Sequence, residues 1–180
     1  MREGEHDASG VYTGRVDATP ALAEVGRQLD AAKLEAVLIG NAAAALQGAP
    51  VTTVDFDFLF RRTARNLAKL KVVARGLRAV LLRPYYPASD LYRITRDDDG
   101  LQVDFMGTIH GVRSYEGVRD GASIIEVGGV SLRVAVLVDI IRSKKAARRP
   151  RDLAVIEILE KALEEQSRSK NAATRRRARK

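Results

Sequence analysis

Three aspartates set in apolar strands carry the chemistry in this sequence. Asp55 and Asp57 flank Phe56 in the run Asp55-Phe56-Asp57-Phe58-Leu59-Phe60, and Asp104 lies between Val103 and Phe105. A strand has a side-chain period of two. Asp55 and Asp57 therefore share one face, and Val54, Phe56 and Phe58 share the other. Neighbouring carboxylates repel each other and are costly to take out of water. A divalent cation offsets that cost, and oxygen-only ligands favour Mg²⁺ or Mn²⁺ over Zn²⁺. If the strand of Asp104 neighbours that of Asp57, three carboxylates converge. Such a set suits two metal ions, one activating a hydroxyl and one clamping a triphosphate and its pyrophosphate product. Asp104 is then placed to accept the proton. A lone aspartate is ordinarily a solvated acid at a strand edge. Three in apolar strands are better explained by chemistry.

Gly40-Asn41 stands fifteen residues before Asp55, between a short apolar strand and an alanine-rich helix. Free N–H groups at a helix start attract anions, and glycine lets a phosphate approach the backbone. Asn41 is placed to cap that helix or to donate its amide to a phosphate oxygen. Taken alone, a plain strand-to-helix turn explains the pair equally well.

Periodicity and turn residues predict the elements that position these groups. Thr19 as N-cap and Pro20 at the first position open a helix over 20–32. A strand follows over 34–39, then a helix over 41–47 closed by Gly48 and Pro50. After the acidic strand, Thr63 caps a helix running to about 77. A strand over 79–82 precedes a loop with Pro84 and Pro87. Hairpins are expected over 91–95 and 101–106, around the turn 97–100, and over 123–127 and 130–134, around Gly128-Gly129. The aspartates of the first turn are turn chemistry and receive no catalytic role. A helix over 136–147 has a basic end, Pro150 breaks it, and a last helix spans 152–165. The expected class is α/β (α+β): a small mixed sheet flanked by helices, with a C-terminal helical segment.

The chain has 180 residues, no cysteine and two histidines, His6 and His110. This excludes disulfides and thiolate sites and disfavours a histidine-built zinc site. No apolar run approaches membrane-spanning length, and the polar start lacks the apolar segment of a signal peptide, so a cytoplasmic location is expected and no membrane partner. Of the net charge of +8, seven basic residues without an acid fall in 168–180, and removing them leaves 24 basic against 23 acidic residues. The expected organisation is a flexible leader over 1–17, one domain over 18–166 and a basic disordered tail over 167–180. The tail suits a polyanion such as RNA, or is simply solvated.

The order strand, Gly40-Asn41, alanine-rich helix, Asp55-Phe56-Asp57 and later Asp104 resembles the nucleotidyltransferase superfamily of DNA polymerase beta type. Within it the chain is most similar to the minimal bacterial enzymes of the AbiEii toxin-like and MenT-like group. A second match is Asp139-Ile140-Ile141-Arg142-Ser143-Lys144, followed by Arg149-Pro150-Arg151-Asp152-Leu153, which resembles that group's basic helix and Arg-Pro-Lys-Asp-Leu segment. Three positions depart from the pattern. Asn41 replaces a small Gly or Ser, Val51 stands where an Arg is frequent, and Val155 stands where a second acid is.

The resemblance implies transfer of a nucleoside monophosphate from an NTP to an acceptor, with pyrophosphate released and Mg²⁺ or Mn²⁺ as cofactor. Asp55, Asp57 and Asp104 would be catalytic and metal-binding. Gly40 and Asn41 would hold the triphosphate, with Thr53, which keeps the threonine found two residues before the first aspartate. Lys144 would reach a phosphate or the acceptor. Arg149 would do the same or pair with Asp152. The expected acceptor is RNA such as a tRNA end, and a toxin role with an antitoxin partner is implied by resemblance alone. Two other readings stand beside this one: the same transfer to a protein hydroxyl, and a non-catalytic RNA-binding module that uses the basic tail.

Overall fold

Alternating burial along the acidic strand decides which face of the sheet is core. Phe56, Phe58 and Phe60 are buried, while Asp55 and Asp57 are only partly covered on the other side. The computed structural model describes residues 18–53, 55–112 and 114–177. Val54 and the expected leader over 1–17 lie outside the described residues. The chain order is α1 (Thr19–Ala31), β1 (Ala36–Ile39), α2 (Gly40–Leu46), β2 (Asp55–Phe60), α3 (Ala64–Gly76) and β3 (Val80–Leu82). It continues with β4 (Tyr92–Arg96), β5 (Leu101–Met106), α4 (Tyr115–Gly121), β6 (Ser123–Val127), β7 (Val130–Val134), α5 (Leu137–Ala147) and α6 (Pro150–Arg177).

The strands form one seven-stranded mixed sheet in the order β3-β4-β5-β2-β1-β7-β6. At its centre β2 runs parallel to β5 and antiparallel to β1. The fold is the mixed α/β arrangement expected from the sequence. Aromatic packing pins the central register. Phe58 lies opposite Phe105, and their rings stack with centroids 5.3 Å apart. Phe60 meets Phe105 and Tyr92 edge-on. Each buried ring contributes about 1.5–3 kcal/mol of transfer energy, and a ring pair adds about 0.5–1.5 kcal/mol. A one-residue slip would turn every side chain of β2 to the wrong face.

Helix ends differ from expectation in instructive ways. Thr63 caps α3 as expected, its hydroxyl accepting from the Asn66 N–H at 3.1 Å. Thr19 does not cap α1; the N-cap is Ala18, and Thr19 and Pro20 occupy the first turn. Helix α4 lies in a stretch to which the sequence patterns assign no element, and Ser114 caps it by accepting from the Gly117 N–H. Helix α6 starts at Pro150 and continues to Arg177, twelve residues beyond its expected end at 165. The tail is thus helical through Arg177; residues 178–180 lie outside the described residues. The turn aspartate Asp99 is structural as expected, since it grips Arg96, which also holds Glu24 of α1. Among the described residues no helix is long and apolar enough to cross a membrane.

Candidate active site

The register of three strands brings the sequence's acidic residues together. Asp57 of β2 lies opposite Asp104 of β5 in the parallel pair and opposite Ile39 of β1 in the antiparallel pair. Since Ile39 ends β1, the next residue, Gly40, falls directly beside Asp57. Gly40 has φ +69, and a Cβ built there would lie 2.5 Å from Asp57 Oδ2. Glycine is therefore required twice, for its left-handed backbone and for the space the carboxylate occupies. Helix α2 has only seven residues, so its dipole is a small part of the site's field.

Burial, then the charges of Asp104 and Asp55, push the Asp57 carboxyl up to about 6, while Lys144 and Arg151 draw it back down. Asp104 is buried and engaged: Arg93 Nε donates to its Oδ1 at 2.8 Å and Arg93 Nη2 to its Oδ2 at 2.7 Å. The two residues are cross-strand neighbours on β4 and β5. Burial and the neighbouring carboxylates make Asp57 costly to ionise, a cost that a divalent cation held by Asp55 and Asp57 would offset. Asp104 as it stands does not add a ligand for that cation, because Arg93 already neutralises both of its oxygens. Among the described residues no three acidic or histidine side chains form a cluster arranged for a metal ion.

All eight site residues expected from the sequence line one cavity of about 560 Å³. Their individual tasks differ from expectation. Thr53 uses its hydroxyl on the backbone of Asp55, donating to its carbonyl at 2.9 Å and accepting from its N–H at 3.2 Å. It therefore shapes the start of β2. Lys144 donates to Asp152 Oδ1 at 3.1 Å, and both side chains are largely buried. Arg149 is half exposed, with its Nε 4.0 Å from the other oxygen of Asp152. Asn41 Oδ1 is buried without a hydrogen-bond partner among the described residues.

Sequence reasoning missed Arg93, Arg151, Asp90 and Tyr85, which line the same cavity. Arg93 was accessible in principle: a hairpin turning at 97–100 with Arg96 opposite Leu101 places Arg93 opposite Asp104. Arg151 has no hydrogen bond or ion pair among the described residues, and its charge is felt at Asp57. Asp90 pairs with Arg62 and with Arg83.

No family model matches the chain, and no curated protein matches its sequence. Solved structures do match, at fold level. The antibiotic-resistance factor ANT(2″)-Ia is similar with a TM-score of 0.57 and 12% identity, over 89% of this chain and 96% of that one. A candidate nucleotidyltransferase from Thermotoga maritima gives a TM-score of 0.54 and 21% identity, over 84% and 95%. The lincosamide antibiotic adenylyltransferase LnuA, solved with lincomycin bound, gives 0.57 and 11%, over 78% and 95%. The chain therefore has a nucleotidyltransferase-like fold.

Proposed function

We propose that this protein transfers a nucleoside monophosphate from an NTP to a hydroxyl of RNA. The observation that carries the reading is the seating of Asp57 against Gly40, with Asp55 and Asp104 in the same cavity. In the reaction the acceptor oxygen bonds to the α-phosphorus. The bond from that phosphorus to the β-phosphate's bridging oxygen breaks, the hydroxyl proton passes to a carboxylate, and pyrophosphate leaves. A divalent cation held by Asp55 and Asp57 would supply charge neutralisation at the triphosphate. Gly40 makes room for the Asp57 carboxylate beside the triphosphate position, and Lys144, Arg149 and Arg151 provide positive charge around that position. Asp104 serves as proton acceptor once its oxygens are released by Arg93, which engages both of them in this structure.

Charge favours an anionic acceptor. Three further cavity acids already have cationic partners: Asp104 with Arg93, Asp152 with Lys144, and Asp90 with Arg62 and Arg83. That leaves little negative charge for a polycationic aminoglycoside. Arg151, which has no ion pair among the described residues, half-exposed Arg149 and the basic residues toward the end of α6 suit phosphates. The segments Asp139 to Lys144 and Arg149 to Leu153 support placement in the AbiEii toxin-like and MenT-like group. On that reading the protein acts in the cytoplasm as a toxin countered by an antitoxin. The test is incubation with each α-labelled NTP, Mg²⁺ and total RNA. Label in RNA supports the proposal. Label only in protein, or only on an added aminoglycoside or lincosamide, moves the acceptor to that class. No label on any acceptor with any NTP and metal would leave a binding module.

A further inference from the structure

Eight aromatic residues lie among those described, and six of them are buried: Phe56, Phe58, Phe60, Phe105, Tyr92 and Tyr115. The other two are neighbours in sequence, Tyr85 at 55% exposure and Tyr86 at 62%. Such rings ordinarily bury about 150–250 Å² each, so two adjacent, largely exposed ones offer surface that a ligand can cover. Both sit in the β3–β4 loop, where Tyr85, Ser89, Asp90 and Leu91 form one wall of the candidate active site.

The loop is braced. The Arg83 guanidinium lies 3.7 Å from the Tyr86 ring centroid and 5.2 Å from that of Tyr92. Asp90 holds Arg83 and Arg62 together. The Ser89 N–H donates to the Tyr85 carbonyl at 2.8 Å, and the Leu91 N–H donates to Ser89 Oγ at 3.2 Å. Tyr86, with the Arg83 guanidinium against its ring and most of its surface exposed, is a stacking face beside a phosphate contact, and Tyr85 beside it in sequence lines the cavity. Lys144, Arg149 and Arg151 line the same cavity.

We propose that Tyr85 and Tyr86 form the acceptor subsite, stacking the unpaired terminal bases of single-stranded RNA while Arg83 meets the adjoining phosphate. This rests on the RNA-transfer reading above and specifies what it binds. Unpaired bases offer a π-face whatever their sequence, so the subsite selects single strands without selecting a base. A polycationic small molecule would meet Arg83 and Arg62 at this position.

The test needs neither NTP nor metal. Fluorescence anisotropy with a labelled single-stranded RNA of about ten nucleotides compares the wild type with Tyr85→Ala, Tyr86→Ala, Tyr85→Phe and Tyr86→Phe. Each alanine variant should bind about 5- to 100-fold more weakly, and each phenylalanine variant as the wild type does. Since stacking is not ionic, that ratio should hold as salt is raised. Unchanged melting temperatures would show that the fold is not responsible. Equal binding by the alanine variants overturns the subsite, as does equal affinity for a blunt duplex, whose bases are covered. If label transfer to RNA succeeds and these variants still bind normally, the subsite falls and the transfer reading stands. If the wild type binds no single strand and labels no RNA, both fall.

Discussion

Arg93 holds both carboxylate oxygens of Asp104, across neighbouring strands and facing the cavity that Asp57 also lines. On the proposed function, the pair is a lock on the residue that would receive the proton. It also makes Asp104 tolerable in an apolar strand, since a buried carboxylate without a partner is strongly destabilising.

Arg93→Gln should therefore lower stability by about 2 kcal/mol in the presence of a chelator, less than a fully buried pair would because Arg93 is partly exposed. Urea denaturation measures it. Mn²⁺ should then recover part of the loss in the variant and less in the wild type, because Asp104 is free to meet a cation. A variant as stable as the wild type would show the pair to be idle.

Gly40→Ala tests the seat of Asp57. The left-handed backbone costs a residue with a Cβ about 1–2 kcal/mol, and the new methyl must displace the Asp57 carboxylate. The expected outcome is a loss of about 2–3 kcal/mol in thermal unfolding together with near-complete loss of label transfer. Gly48→Ala is the control. It has φ +87, but nothing lies within 4 Å of its added Cβ, so it should be destabilised and still transfer.

The Asp57 carboxyl, pushed up to about 6 from an ordinary value of 3.8, predicts a direction with pH. Between those values the folded protein binds more proton than the unfolded chain. Stability without metal should fall as pH rises from about 4 to 6, and Asp57→Asn should flatten that fall. At neutral pH the asparagine variant should be more stable than the wild type in chelator, by up to about 3 kcal/mol. Its transfer activity should nearly vanish. Robust transfer by Asp57→Asn would remove the carboxylate mechanism.

Lys144 and Asp152 form a largely buried pair between α5 and the start of α6. A double-mutant cycle with Lys144→Met and Asp152→Asn should give a coupling of about 1–3 kcal/mol. A coupling near zero would mean that Lys144 is free to serve substrate from the outset.

What the sequence disclosed, and what it withheld, follows from the range of each signal. The period of two gave the shared face of Asp55 and Asp57, and a parallel pairing of β2 with β5 was all that was needed to bring in Asp104. Thr63 was legible as a cap because capping is local. Arg93 was missed because its role depends on the hairpin register, which no single strand reveals. The bonds of Thr53 to the backbone of Asp55 were not legible, because a hydroxyl near a phosphate site can equally close its own backbone turn. Asp152 was weighed as a partner for Arg149, while Lys144 proved to be its nearer cation, a choice set by how α5 packs on α6.

Helix α6 has a consequence for scale. Its first residues, Arg151 and Asp152, belong to the cavity wall, and its last described turn carries Arg175, Arg176 and Arg177 in sequence. Twenty-eight residues at about 1.5 Å each separate the two ends by about 40 Å. Gln166 donates to the Gln47 carbonyl, and Lys145 pairs with Glu160, so the rod is moored as far as Gln166. On the RNA-transfer reading, the basic end would then meet an acceptor far from the reacting atoms. At about 3.4 Å per stacked nucleotide, a strand needs on the order of a dozen units to touch both ends at once. Shorter acceptors should react without noticing the loss of residues beyond Arg168, and longer ones should lose their grip.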